Sequence, residues 1–63
     1  MDSKTLSLVI ALMTEEVRNQ LNISAELRAL PMSNEVVVAG SAAIAKADAL
    51  LSMVTLLQKL ETE

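Results

Sequence analysis

A chain of 63 residues allows one domain at most, and at this length it buries only about 60% of the surface its unfolded form exposes, so it is marginal as a monomer. With no cysteine and no histidine, disulfides, thiolate metal sites and imidazole chemistry are excluded, and oligomerisation is the remaining means of stabilisation. The net charge is −3, the basic residues Lys4, Arg18, Arg28, Lys46 and Lys59 are scattered, and there is no Phe, Trp or Tyr, which argues against a basic nucleic-acid footprint and against base stacking.

The first element is read as a helix over about residues 3–29, capped by Asp2 or Ser3. At about 100° per residue, one apolar stripe holds Leu6, Ile10, Met13, Val17 and Leu21, and a second holds Val9, Leu12, Ile23, Leu27 and Leu30. Ser7, Thr14, Arg18 and Asn22 form the polar side. Asn22-Ile23-Ser24 is poor in helix propensity, and a kink is expected there. The apolar run Leu6 to Met13 has the length of a signal core but leads into Glu15-Glu16 rather than a small-residue cleavage site, so a cytoplasmic location is expected.

Pro31 ends the first helix, because the residue before proline is pushed out of the α region. The loop is placed at residues 30–33, with Ser33 or Asn34 capping a second helix over about residues 34–61 and Glu35 in its first turn. Two helices joined this tightly pack antiparallel, so the fold class is all-α: a helical hairpin forming one domain, residues 1–63, and dimerising into a four-helix bundle or a higher oligomer.

The second helix carries the strongest signal. Its main stripe is Val36, Gly40, Ala43, Ile44, Ala47, Leu50, Leu51, Val54 and Leu57. A second apolar face carries Val38, Ala42, Ala45, Ala49, Met53, Leu56 and Leu60, and only a narrow polar strip of Ser41, Asp48, Ser52, Thr55 and Lys59 remains. A helix apolar almost all round is buried or lies in a membrane. The first helix covers one face, and the second face is the expected oligomer or partner surface. Val36-Val37-Val38 could instead be extended, with Ser41 capping a shorter helix. Gly40 costs about 1 kcal/mol of helix stability relative to alanine, which suggests close approach or a flexible joint. Glu61 to Glu63 are expected to fray, since glutamates suit a helix C-terminus poorly.

Residues 36–57 are long enough to span a bilayer, but Lys46 and Asp48 sit at the centre of that segment, each costing about 2.5–3.5 kcal/mol on insertion. A membrane span is therefore not expected. No catalytic, cofactor or metal site is expected, for the chain has no His, Cys or Tyr, no Gly-rich phosphate loop and no Glu-x-x-His motif. Glu15 and Glu16 diverge by about 100° and form no carboxylate pair.

The expected function is that of a small non-enzymatic interaction module: an adaptor, chaperone or inhibitor covering a partner protein with an apolar helix face. Size and fold class suit phage- or plasmid-encoded regulators, by analogy alone. No small-molecule substrate is expected. The alternatives are a structural self-assembling module and a small nucleic-acid regulator in which Arg18, Arg28 and Lys46 of a dimer converge. In length and plan the chain resembles bundle dimers such as ROP. No motif matches, and the aromatic and basic RNA-contacting surface is missing.

Overall fold

The computed structural model describes residues 1–63, and their folding begins with the caps. Helix α1 spans Ser3–Arg28 and helix α2 spans Asn34–Thr62. At the start of α1 the Asp2 carboxylate accepts the Thr5 backbone N–H at 2.7 Å. That backbone hydrogen bond is the main reason its carboxyl is held below the ordinary range. At the far end, the Ala29 and Leu30 N–H groups donate to the carbonyls of Glu26 and Leu27, both at 3.1 Å. These tightened bonds satisfy carbonyls left over at the helix end, and Pro31, lacking an N–H, cannot extend the ladder.

Ser33 then restarts the helix. Its backbone is extended, and its hydroxyl accepts the Val36 N–H at 3.2 Å. A serine cap of this kind stabilises a helix by about 1 kcal/mol. With Glu35 in the first turn and no strand to pair with, Val36 to Gly40 are helical rather than extended. α1 runs unbroken through Asn22-Ile23-Ser24, with no new helix capped at Ser24, which is buried against α2. Tertiary burial outweighs the weak local propensity of three residues.

The two helices pack antiparallel into a rod of 46 × 14 × 13 Å. From α1 the seam takes Leu6, Ile10, Met13, Val17, Gln20, Ser24 and Leu27. From α2 it takes Val36, Gly40, Ala43, Ala47, Leu50, Val54 and Leu57. On both helices the steps alternate between four and three residues, the 3.5-residue repeat of a left-handed coiled coil. The seam is uneven. Leu6, Ile10 and Val54, with Met13 and Leu57 against them, form an aliphatic cluster near the chain termini. Towards the loop the facing residues are small or polar: Gln20 and Ser24 against Gly40, Ala43 and Ala47. At the open end the Ser7 hydroxyl donates to the Glu61 carboxylate at 2.7 Å. Glu61 is therefore tied across the hairpin, and α2 runs to Thr62.

The seam is narrower than the two-stripe reading of each helix. Ile44 and Leu51 belong to the expected main stripe of α2, yet both are exposed. Leu12, Leu21 and Ile23 of α1, and Leu30 just beyond it, are exposed as well. One neighbouring helix covers a single seam, and residues one position to either side of it meet solvent.

Gly40 is not a close-approach glycine within the hairpin, since a Cβ built there meets nothing within 4 Å. It lies in an open groove of about 170 Å³ with Ser24, Leu27, Val36 and Ile44 at the loop end. Gly40→Ala is therefore expected to stabilise the helix by about 0.5–1 kcal/mol, because the backbone entropy lost on folding falls and no clash replaces it. A rise in the thermal midpoint of unfolding checks this, and a fall would mean that another molecule packs on the groove.

Candidate interaction surface

The heptad spacing assigns the exposed residues to two flanks of the rod. In an antiparallel pair the residues following each seam position meet on one side and those preceding it meet on the other. On the first flank Leu21 and Arg28 of α1 neighbour Val37, Ile44 and Leu51 of α2, and the loop-end groove opens there. This side is mixed: Ser7, Thr14 and Gln58 share it, and the polar strip of α2 borders it. The Thr55 hydroxyl donates to the Leu51 carbonyl at 3.0 Å, and Thr14 likewise to Ile10 at 2.8 Å. These hydroxyls are satisfied by their own helices and call for no partner.

The second flank is apolar along most of its length. From α1 it presents Val9, Leu12 and Ile23, and from α2 Ala39, Ala42, Ala49, Met53, Leu56 and Leu60. The exposed fractions are 59% for Leu12, 51% for Met53 and 61% for Leu56. All seven residues of the expected second face of α2, Val38, Ala42, Ala45, Ala49, Met53, Leu56 and Leu60, are exposed. Ala49, Met53, Leu56 and Ala42 form its middle. Val38 and Ala45 point almost directly away from α1, and Ala45 borders the polar Ser52. Reading α2 alone missed the contribution of α1, whose Val9, Leu12 and Ile23 extend the face across the seam. The signal was the residue preceding each seam position on both helices.

Charged residues interrupt this flank near its middle, at Glu16 and Lys46, and at its loop end, where Glu26 precedes Leu27 and Glu35 precedes Val36. Glu16 and Lys46 precede seam positions on facing helices. The Glu16 carboxylate accepts from Gln20 Nε2 at 2.8 Å and from Asn19 Nδ2 at 3.4 Å. These bonds, the Gln20 one foremost, hold its carboxyl below the ordinary range, and the positive charge of Lys46 adds to the effect. Arg18 and Arg28, by their heptad positions, lie towards the other side of the rod. No three carboxylates converge where they could hold a metal ion.

By length and composition α2 is apolar enough to cross a membrane, and little of it is buried in the hairpin. Comparison with known protein families, curated proteins and solved structures gives no match to this chain.

Proposed function

We propose that the protein is a small non-enzymatic interaction module of the cytoplasm, an adaptor, chaperone or inhibitor that binds protein through the apolar flank shared by α1 and α2. The observation that carries this reading is the imbalance of burial. Only seven of 63 residues are buried, while Leu12, Met53, Leu56 and Leu60 lie exposed along one side. Contiguous apolar surface of this kind marks an interaction site on a soluble chain. The same flank suits a homo-oligomer, with a dimer completing a four-helix bundle.

Two further observations favour this reading over others. The Asp2 and Glu16 carboxyls are both held below the ordinary carboxylate range by local hydrogen bonds. A general acid near neutral pH needs the opposite shift. A spanning role for α2 would place Lys46 and Asp48 at mid-bilayer, two residues apart and unable to pair along the helix.

Site-specific photo-crosslinking in the native cell tests the proposal. A photoreactive residue at Leu56 is expected to give discrete protein adducts, and one at Thr55, on the polar strip, is expected to give none. Adducts containing a different polypeptide support the adaptor reading. Adducts of the chain with itself alone leave the structural self-assembling module. Equal labelling at both positions, or none at Leu56, rejects the flank as the binding face.

A further inference from the structure

We infer that the loop-end groove binds a medium-chain fatty acid, whose carboxylate sits between Arg28 and Ser24 and whose tail runs over Gly40. The groove lies on the first flank, away from the apolar face assigned to protein, so the two readings stand or fall separately. Space supplies the first argument. The groove holds about 170 Å³, and an apolar space of about 150 Å³ is enough to take up benzene. One short alkyl chain fits, whereas the two tails of a bilayer lipid do not. Leu27, Val36 and Ile44 line the groove from the helices, and Leu30 and Met32 line it from the loop. Gly40 keeps it open. A glycine inside a helix costs about 1 kcal/mol relative to alanine, yet a Cβ there meets nothing within 4 Å. No contact within the hairpin therefore demands the glycine, and what its missing side chain leaves is groove space.

Charge and hydrogen bonding supply the second. Arg28 is the only charged residue on the walls of the groove. The carboxylates nearest the loop, Glu26 and Glu35, precede seam positions and lie on the opposite flank, so they leave its charge unneutralised. Ser24 precedes Arg28 by four residues, which places the two one turn apart on the same side of α1. Ser24 is 1% exposed and lines the groove, and its hydroxyl bonds to no group of the hairpin. No side-chain polar atom is sealed from solvent without a partner, so the Ser24 oxygen opens on the groove. A buried hydroxyl beside a guanidinium is a pair of donors suited to a carboxylate.

The rest of the wall favours an alkyl chain over the carboxylate end of a peptide. A peptide would bring N–H and C=O groups that need partners when they leave water. The backbone groups of the wall are bonded along α1 and α2, and only the Ser24 and Ser41 hydroxyls remain to serve them. An alkyl tail needs no partner and is taken up by apolar contact alone.

The test is an NMR titration of the full chain with sodium octanoate at neutral pH. The amide resonances of Ser24, Arg28, Gly40 and Ser41 should shift and saturate, while those of Ala49 and Met53 on the apolar flank stay in place. Octan-1-ol keeps the tail without the charge, and octylamine reverses the charge. Each should bind at least about fivefold more weakly than octanoate, because a charge-assisted hydrogen bond at a part-exposed site is lost. Arg28→Gln should weaken octanoate by a similar factor and leave octan-1-ol unchanged, which a merely misfolded variant would not do. Gly40→Ala should weaken both ligands while the ligand-free chain melts higher, so lost binding there is not lost folding. The proposal is overturned if octanoate gives no saturable shifts or shifts centred on the apolar flank. It is equally overturned by octylamine binding as tightly as octanoate, or by an undiminished affinity in Gly40→Ala. Tighter binding of N-acetyl-leucine than of octanoate would assign the groove to a peptide end instead. Sedimentation with phosphatidylglycerol vesicles in the absence of octanoate shifts would assign it to a bilayer.

Discussion

Ile10→Ala is expected to lower the free energy of unfolding by about 2–4 kcal/mol, the range for truncating a buried isoleucine whose cavity cannot fully collapse. Ile10 is one of three buried residues in the aliphatic cluster, with Leu6 on the same helix and Val54 across the seam. No other buried cluster compensates, because the loop half of the seam is mostly small or polar, Gln20, Ser24, Gly40, Ala43 and Ala47, with Leu27 and Val36 only half-buried beside the loop. In a chain of this size each kcal/mol moves the thermal midpoint by about 4–8 °C, so Ile10→Ala should melt far below the wild type. Leu8→Ala removes a similar volume from the outer side of α1, where Leu8 is 59% exposed, and should change stability by less than about 0.5 kcal/mol. Melting by circular dichroism at one fixed chain concentration decides the matter, since association raises the apparent stability of any oligomer. Equal losses for the two variants would mean that the aliphatic cluster does not hold the hairpin together.

Much of this architecture is legible in the residues. Asp2, Pro31 and Ser33 are strong local signals, because a side-chain acceptor or a missing N–H acts on neighbouring backbone whatever the rest of the chain does. They place both helices and the loop to within a residue or two. The seam of α2 is legible in part. Val36, Gly40, Ala43, Ala47, Leu50, Val54 and Leu57 lie in the expected main stripe, whereas Ile44 and Leu51 face solvent. Hydrophobicity alone overcounts a seam, for it cannot say how many neighbours share the apolar surface.

The reverse error concerns Gln20 and Ser24. Both are polar, so both were passed over, yet the steps of four and three from Ile10 through Val17 to Leu27 pass directly through them. Their place is set by the repeat, not by their own chemistry. Gln20 is held by the hydrogen bond its side-chain amide donates to Glu16, and Ser24 is small enough to sit against α2. Gly40 shows the limit from the other side. Its type points to a close contact, but only the backbone geometry reveals that the space beside it is open. The contribution of α1 to the apolar flank was likewise invisible while each helix was read on its own wheel, because the flank belongs to the pair.

Ala49→Glu is expected to weaken the proposed dimer by at least about a hundredfold while leaving the helix content of the chain intact. Glutamate is nearly as good a helix former as alanine, so the local cost is small. The cost falls on association. Ala49 lies in the middle of the flank with Ala42, Met53 and Leu56 around it, and an ionised carboxylate taken out of water against such neighbours costs several kcal/mol unless it is paired. Lys46 is one turn away on the same helix, but such a pair contributes only about 0.2–0.5 kcal/mol, too little to offset that cost. Burial in the dimer raises the pKa of the introduced carboxyl, so the dimer favours its neutral form. Association should therefore recover as the pH falls towards about 5. Thr55→Glu on the polar strip should leave the mass unchanged at every pH. Ala45→Glu is the informative intermediate. Its side chain borders Ser52 and can turn its carboxylate into water, so its effect should be smaller than that of Ala49→Glu. The order Ala49, then Ala45, then Thr55 traces the edge of the interface around α2. If Ala45→Glu proved the more damaging, the contact would be centred on the side of α2 facing away from α1, and α1 would have no part in it.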